Sequence, residues 1–170
     1  SNEISVANPV ANIVMKHALS QFVLRLQVSP DYKNEGVLSA ASLKAGQNKF
    51  ATEGTMNLND NGKITFTPAK TELSWQPNTT IPTVGSTPVD FAAAVFPISY
   101  QKDEATINVT IDNVKYEYKI PAIEWVAGKR YIYSVSLSSN GAQIGGEDGT
   151  SVTIEPWTDS VTDIELSPVK

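Results

Sequence analysis

At 170 residues and 18.4 kDa, the chain is long enough to bury a core as one domain without a metal or disulfide staple. It contains no cysteine, which excludes a thiol nucleophile, a thiolate metal site and a disulfide framework. Thirteen basic residues against eighteen acidic ones give a formal charge of -5, spread along the chain, with no basic stripe of the kind that nucleic acid requires.

Charged residues are only 18% of the chain and Ser, Thr and Asn are abundant, a surface chemistry that suits an exported β protein. No apolar run reaches the roughly 18 residues of a transmembrane helix. The N-terminus lacks a basic-then-apolar signal pattern, so any export signal is expected to lie outside this sequence.

In chain order, nearly every apolar segment alternates with period two. "NIVMKHALS" reads as strand, brief turn, strand. "SQFVLRLQVSP" puts Phe22, Leu24, Leu26 and Val28 on one face, with Gln21, Val23, Arg25 and Gln27 opposite, and Pro30 ends it. In "GVLSAASLKA" the candidate inward residues are Val37 or Leu38, and Leu43. "GTMNLNDNGKITFTP" predicts a hairpin turning at Asn61-Gly62, with Met56 and Leu58 facing Ile64 and Phe66. "KTELSW" alternates Leu73 with Trp75, and the Pro-rich "QPNTTIPTVGSTPVD" predicts a long irregular loop.

After that loop, "FAAAVFPI" predicts a strand stopped by Pro97. "ATINVTIDNVKYEYKIP" predicts a second hairpin turning at Asp112-Asn113. "KRYIYSVSLSS" and "GTSVTIEPW" supply two more strands, the second ended by Pro156. About nine or ten short strands, close-set turns and less than about 10% helix predict an all-β chain: a Greek-key antiparallel β-sandwich. A single domain is expected over residues 1–170, its core running from about 13 to 157, alone or as one domain of a longer precursor.

The census offers little for catalysis. His17 is the only histidine, and no neighbouring motif would orient an acid or a nucleophile around it. Metal ligation lacks a second imidazole and a thiolate, and Asn57, Asn59, Asp60 and Asn61 have a sufficient explanation as turn residues. The acids fall mostly in turns and at strand ends, such as Asp31/Glu35 and Asp103/Glu104, where a solvated charge is cheapest. No catalytic residue, metal or cofactor is expected.

Aromatics remain. Tyr116 and Tyr118 share one strand face, and Tyr131 and Tyr133 another. An exposed row would make a carbohydrate-binding platform, and packing at the sheet rim with hydroxyls in water is the alternative. Trp125, Gly128, Pro156 and Trp157 read as architecture. Gly128 lets the chain turn where a Cβ would obstruct it, Trp125 covers that corner, Pro156 ends a strand, and Trp157 plugs the open end of the sandwich.

Three spaced motifs, "MKHALSQFVLRLQV", "WVAGKRYIYSVSL" and "VTIEPWTD", resemble the fimbrillin-like (Mfa-like) proteins of Bacteroidetes, which are pilus and pilus-associated outer-membrane lipoproteins. The matching positions are Met15 and His17 before Phe22 to Val28, then Gly128, Tyr131 and Tyr133, then Ile154, Pro156 and Trp157. The resemblance implies a transthyretin-like sandwich at the cell surface or outer membrane, exported and lipid-anchored outside this fragment. It implies a pilus subunit, tip or anchor rather than an enzyme, without a cofactor. Its partners would be other pilus subunits or copies of itself joined by strand addition, with host or surface glycans as further ligands. In the tail "DSVTDIELSPVK", Ile164 and Leu166 alternate around Glu165, enough for one short strand. That segment either completes this domain's own sheet or is donated to a partner, and "NEISVANPV" is a second candidate donor.

Overall fold

Period-two alternation becomes strand almost throughout. A computed structural model of the chain describes residues 10–46, 49–70, 72–139, 141–144, 153–156 and 160–165. The first half contains β1 (Val10–Met15), β2 (Ser20–Val28), β3 (Val37–Ala45), β4 (Phe50–Asn57), β5 (Lys63–Lys70), β6 (Glu72–Trp75), β7 (Thr79–Thr80) and β8 (Val89–Val95). The second contains β9 (Ile98–Tyr100), β10 (Ala105–Ile111), β11 (Val114–Lys119), β12 (Ile123–Trp125), β13 (Lys129–Ser138), β14 (Gly141–Ile144), β15 (Thr153–Pro156) and β16 (Ser160–Glu165). Among the described residues the only helical element is one 3-10 turn, Leu58–Asp60.

Two sheets form the sandwich. Sheet I runs β11-β10-β3-β6, with β7 also pairing with β3; sheet II runs β14-β13-β2-β8, with β15 also pairing with β13. Their facing sides share one apolar cluster containing Phe22, Leu24 and Leu26 from β2, Leu38 and Leu43 from β3, Ile107 and Val109 from β10, and Val135 and Leu137 from β13. Phe22 of sheet II stacks on Trp75 of sheet I with ring centroids 6.1 Å apart. Each fully buried Leu, Ile or Phe contributes about 1.5–3 kcal/mol relative to leaving it in water, so this cluster dominates the stabilisation.

The ladders explain where simple alternation was ambiguous. Along β3, Leu43 and Ala41 pair with Ile107 and Val109, but the register shifts between Thr110 and Ile111, so Leu38 pairs with Ile111. The extra residue is Ser39, whose hydroxyl donates to the Thr110 carbonyl at 3.2 Å. This bulge moves the inward positions from odd to even numbers, which decides for Leu38 over Val37. One pairing departs from the antiparallel expectation: β2 and β13 run parallel, Phe22 opposite Tyr131 and Leu24 opposite Tyr133.

Both predicted hairpins form. Asp112 and Asn113 have φ of 49° and 65°, the left-handed pair that a two-residue turn demands. In the β4–β5 hairpin, Met56 pairs with Ile64 as expected, but Phe66 lies opposite Gly54, not Leu58. The 3-10 turn takes Leu58 out of the ladder and leaves it 80% exposed. The long loop is tied down: Ile81 is buried, and Val28 N–H donates to the Pro82 carbonyl at 2.9 Å.

Among the described residues, three two-stranded ribbons stand outside the ladders of sheets I and II: β9–β12, β4–β5, and one that pairs the first and last described strands, β1 with β16, antiparallel from Met15–Ser160 to Val10–Glu165.

Candidate functional site

Trp125, Tyr131 and Tyr133 converge on one end of the core. Trp125 closes β12, which pairs with β9, and only 1% of it is exposed. Its ring meets Tyr100 edge-on at 4.9 Å and lies 5.8 Å from Phe22 and 5.9 Å from Tyr131. Its indole N–H donates to the Tyr133 hydroxyl at 3.4 Å. The Tyr131 hydroxyl donates to the Glu124 carbonyl and accepts from the Val126 N–H, both at 2.8 Å. The two rings of β13 thus brace the β12 corner from inside.

These contacts correct the idea of a tyrosine platform. Tyr131 and Tyr133 are each 2% exposed and lie in the core cluster. Tyr116 and Tyr118 sit opposite Val109 and Ile107, whose side chains are buried, so they too face the interior and are half-buried there. The pairs belong to opposite sheets, and their rings enter the sandwich rather than forming an exposed row. Burial pushes the Tyr100 and Tyr133 hydroxyls well above the ordinary tyrosine range. The Tyr100 hydroxyl is buried without a hydrogen-bond partner among the described residues.

The corner itself is a tight turn. Lys129 N–H donates to the Val126 carbonyl at 3.2 Å, Gly128 N–H to the Leu19 carbonyl at 2.9 Å, and Ser20 Oγ to the Val126 carbonyl at 2.8 Å. Gly128 has φ +74°, and a Cβ there would lie no closer than 3.8 Å to the His17 carbonyl. Backbone handedness, rather than an obstructing neighbour, is therefore what calls for glycine. Pro156 is the last residue of β15, opposite Lys129. Trp157 and Leu166 lie outside the described residues, while Ile164 pairs with Ala11 in the β1–β16 ladder.

Asn57, Asp31, Glu104 and Asp112 are each held by local contacts. Asn57 Oδ1 accepts from the Asn59 N–H at 3.0 Å, so this Asn/Asp cluster caps its own 3-10 turn. Asp31 accepts from the Ser139 hydroxyl at 2.6 Å, and the Ser139 and Ser29 hydroxyls hold its carboxyl down at about 2. The Gln101 N–H and then Lys49 keep Glu104 below its usual range. Burial raises Asp112, but bonds from the Tyr32 hydroxyl and the Val37 and Gly36 N–H groups outweigh it and leave this carboxyl lowered. Among the described residues, no group of three or more His, Cys, Asp or Glu side chains could hold a metal ion.

Two clefts remain. At the Asp112 end, Lys33, Asn34, Glu35, Asn78 and Asp112 line an open polar basin of about 820 Å³. At the Trp125 end, the β4–β5 hairpin and the link between β1 and β2 enclose a more apolar cleft of about 490 Å³, lined by His17, Met56, Ile64, Phe66 and Pro97. Sequence reasoning missed this second cleft, because the hairpin is placed by Phe66 stacking on Phe96 at 4.9 Å and by Gly54 lying against the same ring. Only the glycine inside a strand hinted at so close an approach.

Comparison with known proteins then agrees with the fold. A candidate cell adhesion protein from Bacteroides uniformis superposes with a TM-score of 0.59 at 17% identity, over 84% of this chain and 52% of its own. One from Bacteroides ovatus gives 0.55 at 16% identity, over 89% of this chain and 61% of its own. A fimbrial protein from Bacteroides vulgatus gives 0.53 at 11%, over 84% and 55%. The chain therefore spans a little over half the length of these solved structures. No curated protein matches the sequence. The fimbrillin-like family profile matches residues 1–157, and the chain belongs to the fimbrillin-like family.

Proposed function

We propose that the chain is a structural and adhesive cell-surface protein, exported and pilus-associated as a subunit, tip or anchor. The observation that carries this reading is the family match across residues 1–157, on a sandwich that spends Trp125, Tyr131 and Tyr133 on its core. The fimbrial and cell adhesion names of the structural neighbours support it. A fold hosts many functions, and here the buried Tyr131 and Tyr133 remove the main argument for a glycan platform. Among the described residues, no helix is long and apolar enough to cross a membrane. A lipid anchor outside this sequence is the proposed attachment.

Assembly with other subunits, or with copies of itself, would proceed by strand addition. Within sheet II, β8 is an edge strand carrying only Asp90 as a charge, whereas the β11 edge of sheet I carries Lys115, Glu117 and Lys119. Charged edges resist pairing with another chain, so β8 is the more receptive of the two. The β16 segment around Ile164 and Leu166 is the candidate donor, and donation would require its ladder with β1 to open. Protease shaving of intact producing cells tests the surface assignment. The full-length protein should disappear from whole cells while a periplasmic marker survives, and equal protection of both would overturn the reading.

A further inference from the structure

Sheet II has two faces, and the second is not bare. Gln21, Val23, Arg25 and Gln27 of β2 point away from the core, as do Arg130, Ile132, Ser134 and Ser136 of β13. Val23 and Ile132 are register partners across the parallel pair, and neither belongs to the cluster between the sheets. Yet they are only 4% and 2% exposed. Their neighbour in the same row, Ala92 on β8, is exposed. A cover therefore lies over β2 and β13 at the level of Val23 and Ile132 and stops short of Ala92 on β8. A parallel pair is ordinarily covered on both faces, which agrees.

The β1–β16 ribbon fits this cover. Met15 connects to Ser20 of β2 through residues 16–19, and Ser160 connects to Pro156 of β15 through residues 157–159. Pro156 lies opposite Lys129 and Gln21 opposite Arg130, so both attachments are at one end of sheet II, on either side of β13. A ribbon hinged there has the width and position to lie along β13 and β2. Its register puts Ala11, Ile13, Met15, Ser160, Thr162 and Ile164 on one face, without a charge; the other face carries both Asp163 and Glu165. A two-stranded ribbon left alone in water is marginal, and one uncharged face suits burial against an apolar row.

We infer that the β1–β16 ribbon lies back over the outer face of sheet II, sealing Val23 and Ile132 as a third layer of the same chain. The outer face of the central parallel pair is thus a docking surface whose occupant is the chain's own β1–β16 ribbon. Any partner that takes up either strand uncovers this row.

The cysteine-free chain allows a direct distance test. Spin labels on Val10→Cys, at the ribbon's free end, and Gln27→Cys, at the far end of β2, report the geometry in the full chain. With strands rising about 3.3 Å per residue and layers about 10 Å apart, a ribbon laid back places the labels roughly 15 Å apart, and a projecting one roughly 40 Å apart. A short distance that persists when labelled chain is diluted with unlabelled chain is the expected result. A distance near the longer value overturns the inference. A short distance lost on dilution also overturns it, because the cover would then come from another copy, and a long distance with Val23 and Ile132 still protected would assign the cover to another segment.

Discussion

Replacing Trp125 by Ala should be among the most damaging single changes in the chain. The indole is 1% exposed and touches Tyr100, Phe22 and Tyr131, so truncation opens a cavity where sheet II meets the β9–β12 pair. Aromatic-to-alanine changes in cores cost about 3–5 kcal/mol from lost transfer energy and residual cavity. The Tyr133 hydroxyl loses its indole donor as well, although at 3.4 Å that bond is long and adds little. A value near 4 kcal/mol, at a urea dependence of about 2 kcal/mol per molar, lowers the unfolding midpoint by roughly 2 M. Far-ultraviolet circular dichroism is the suitable probe, since deleting a tryptophan changes the fluorescence signal itself. Trp125→Phe should recover a large part of the loss. A Trp125→Ala midpoint within a few tenths molar of the parent would refute the reasoning, because a side chain enclosed by three rings cannot be removed at no cost.

Gly54→Ala should cost about 1–3 kcal/mol, because its Cβ would stand 2.8 Å from the Phe96 ring, and the β4–β5 hairpin would lose its seat. Chemical denaturation reads the loss, and the Phe96→Ala background should abolish most of it. Gly128→Ala should cost about 1–2 kcal/mol for the left-handed backbone at φ +74°, with Gly128→Asn milder; equal midpoints for all three proteins would contradict the handedness argument. For Asp31, lowered to about 2 chiefly by the Ser139 hydroxyl, the stabilising contribution is complete above the ordinary value of 3.8 and fades as pH falls towards 2. A carboxyl titration by nuclear magnetic resonance should show this value rising towards 3.8 in Ser139→Ala, and an unchanged titration would reject Ser139 as the cause.

Much of the sandwich was readable because its strands are half-buried and alternate cleanly. In β2 and β10, every second residue meets the core, and Asp112-Asn113 announces its own turn. The bulge at Ser39 was not readable, since an extra residue shows only as a phase change within a Ser/Ala-rich segment. Nor was the parallel pairing of β2 with β13, which joins segments more than 100 residues apart and follows from sheet closure rather than local pattern. The tyrosines were ambiguous for a specific reason. Alternation fixes which residues share a face, but not whether that face meets water or the opposite sheet. Trp125 was placed correctly because a corner after a short strand leaves a large ring little choice but the core.

The most direct measurement of the pilus-associated role is immunogold electron microscopy of the producing bacterium, with antibodies raised against the folded sandwich. Gold is expected along, at the tips of, or at the bases of surface filaments, with the label absent from a strain lacking the gene. Gold confined to the cell interior, or spread over the surface without relation to any filament, would contradict it.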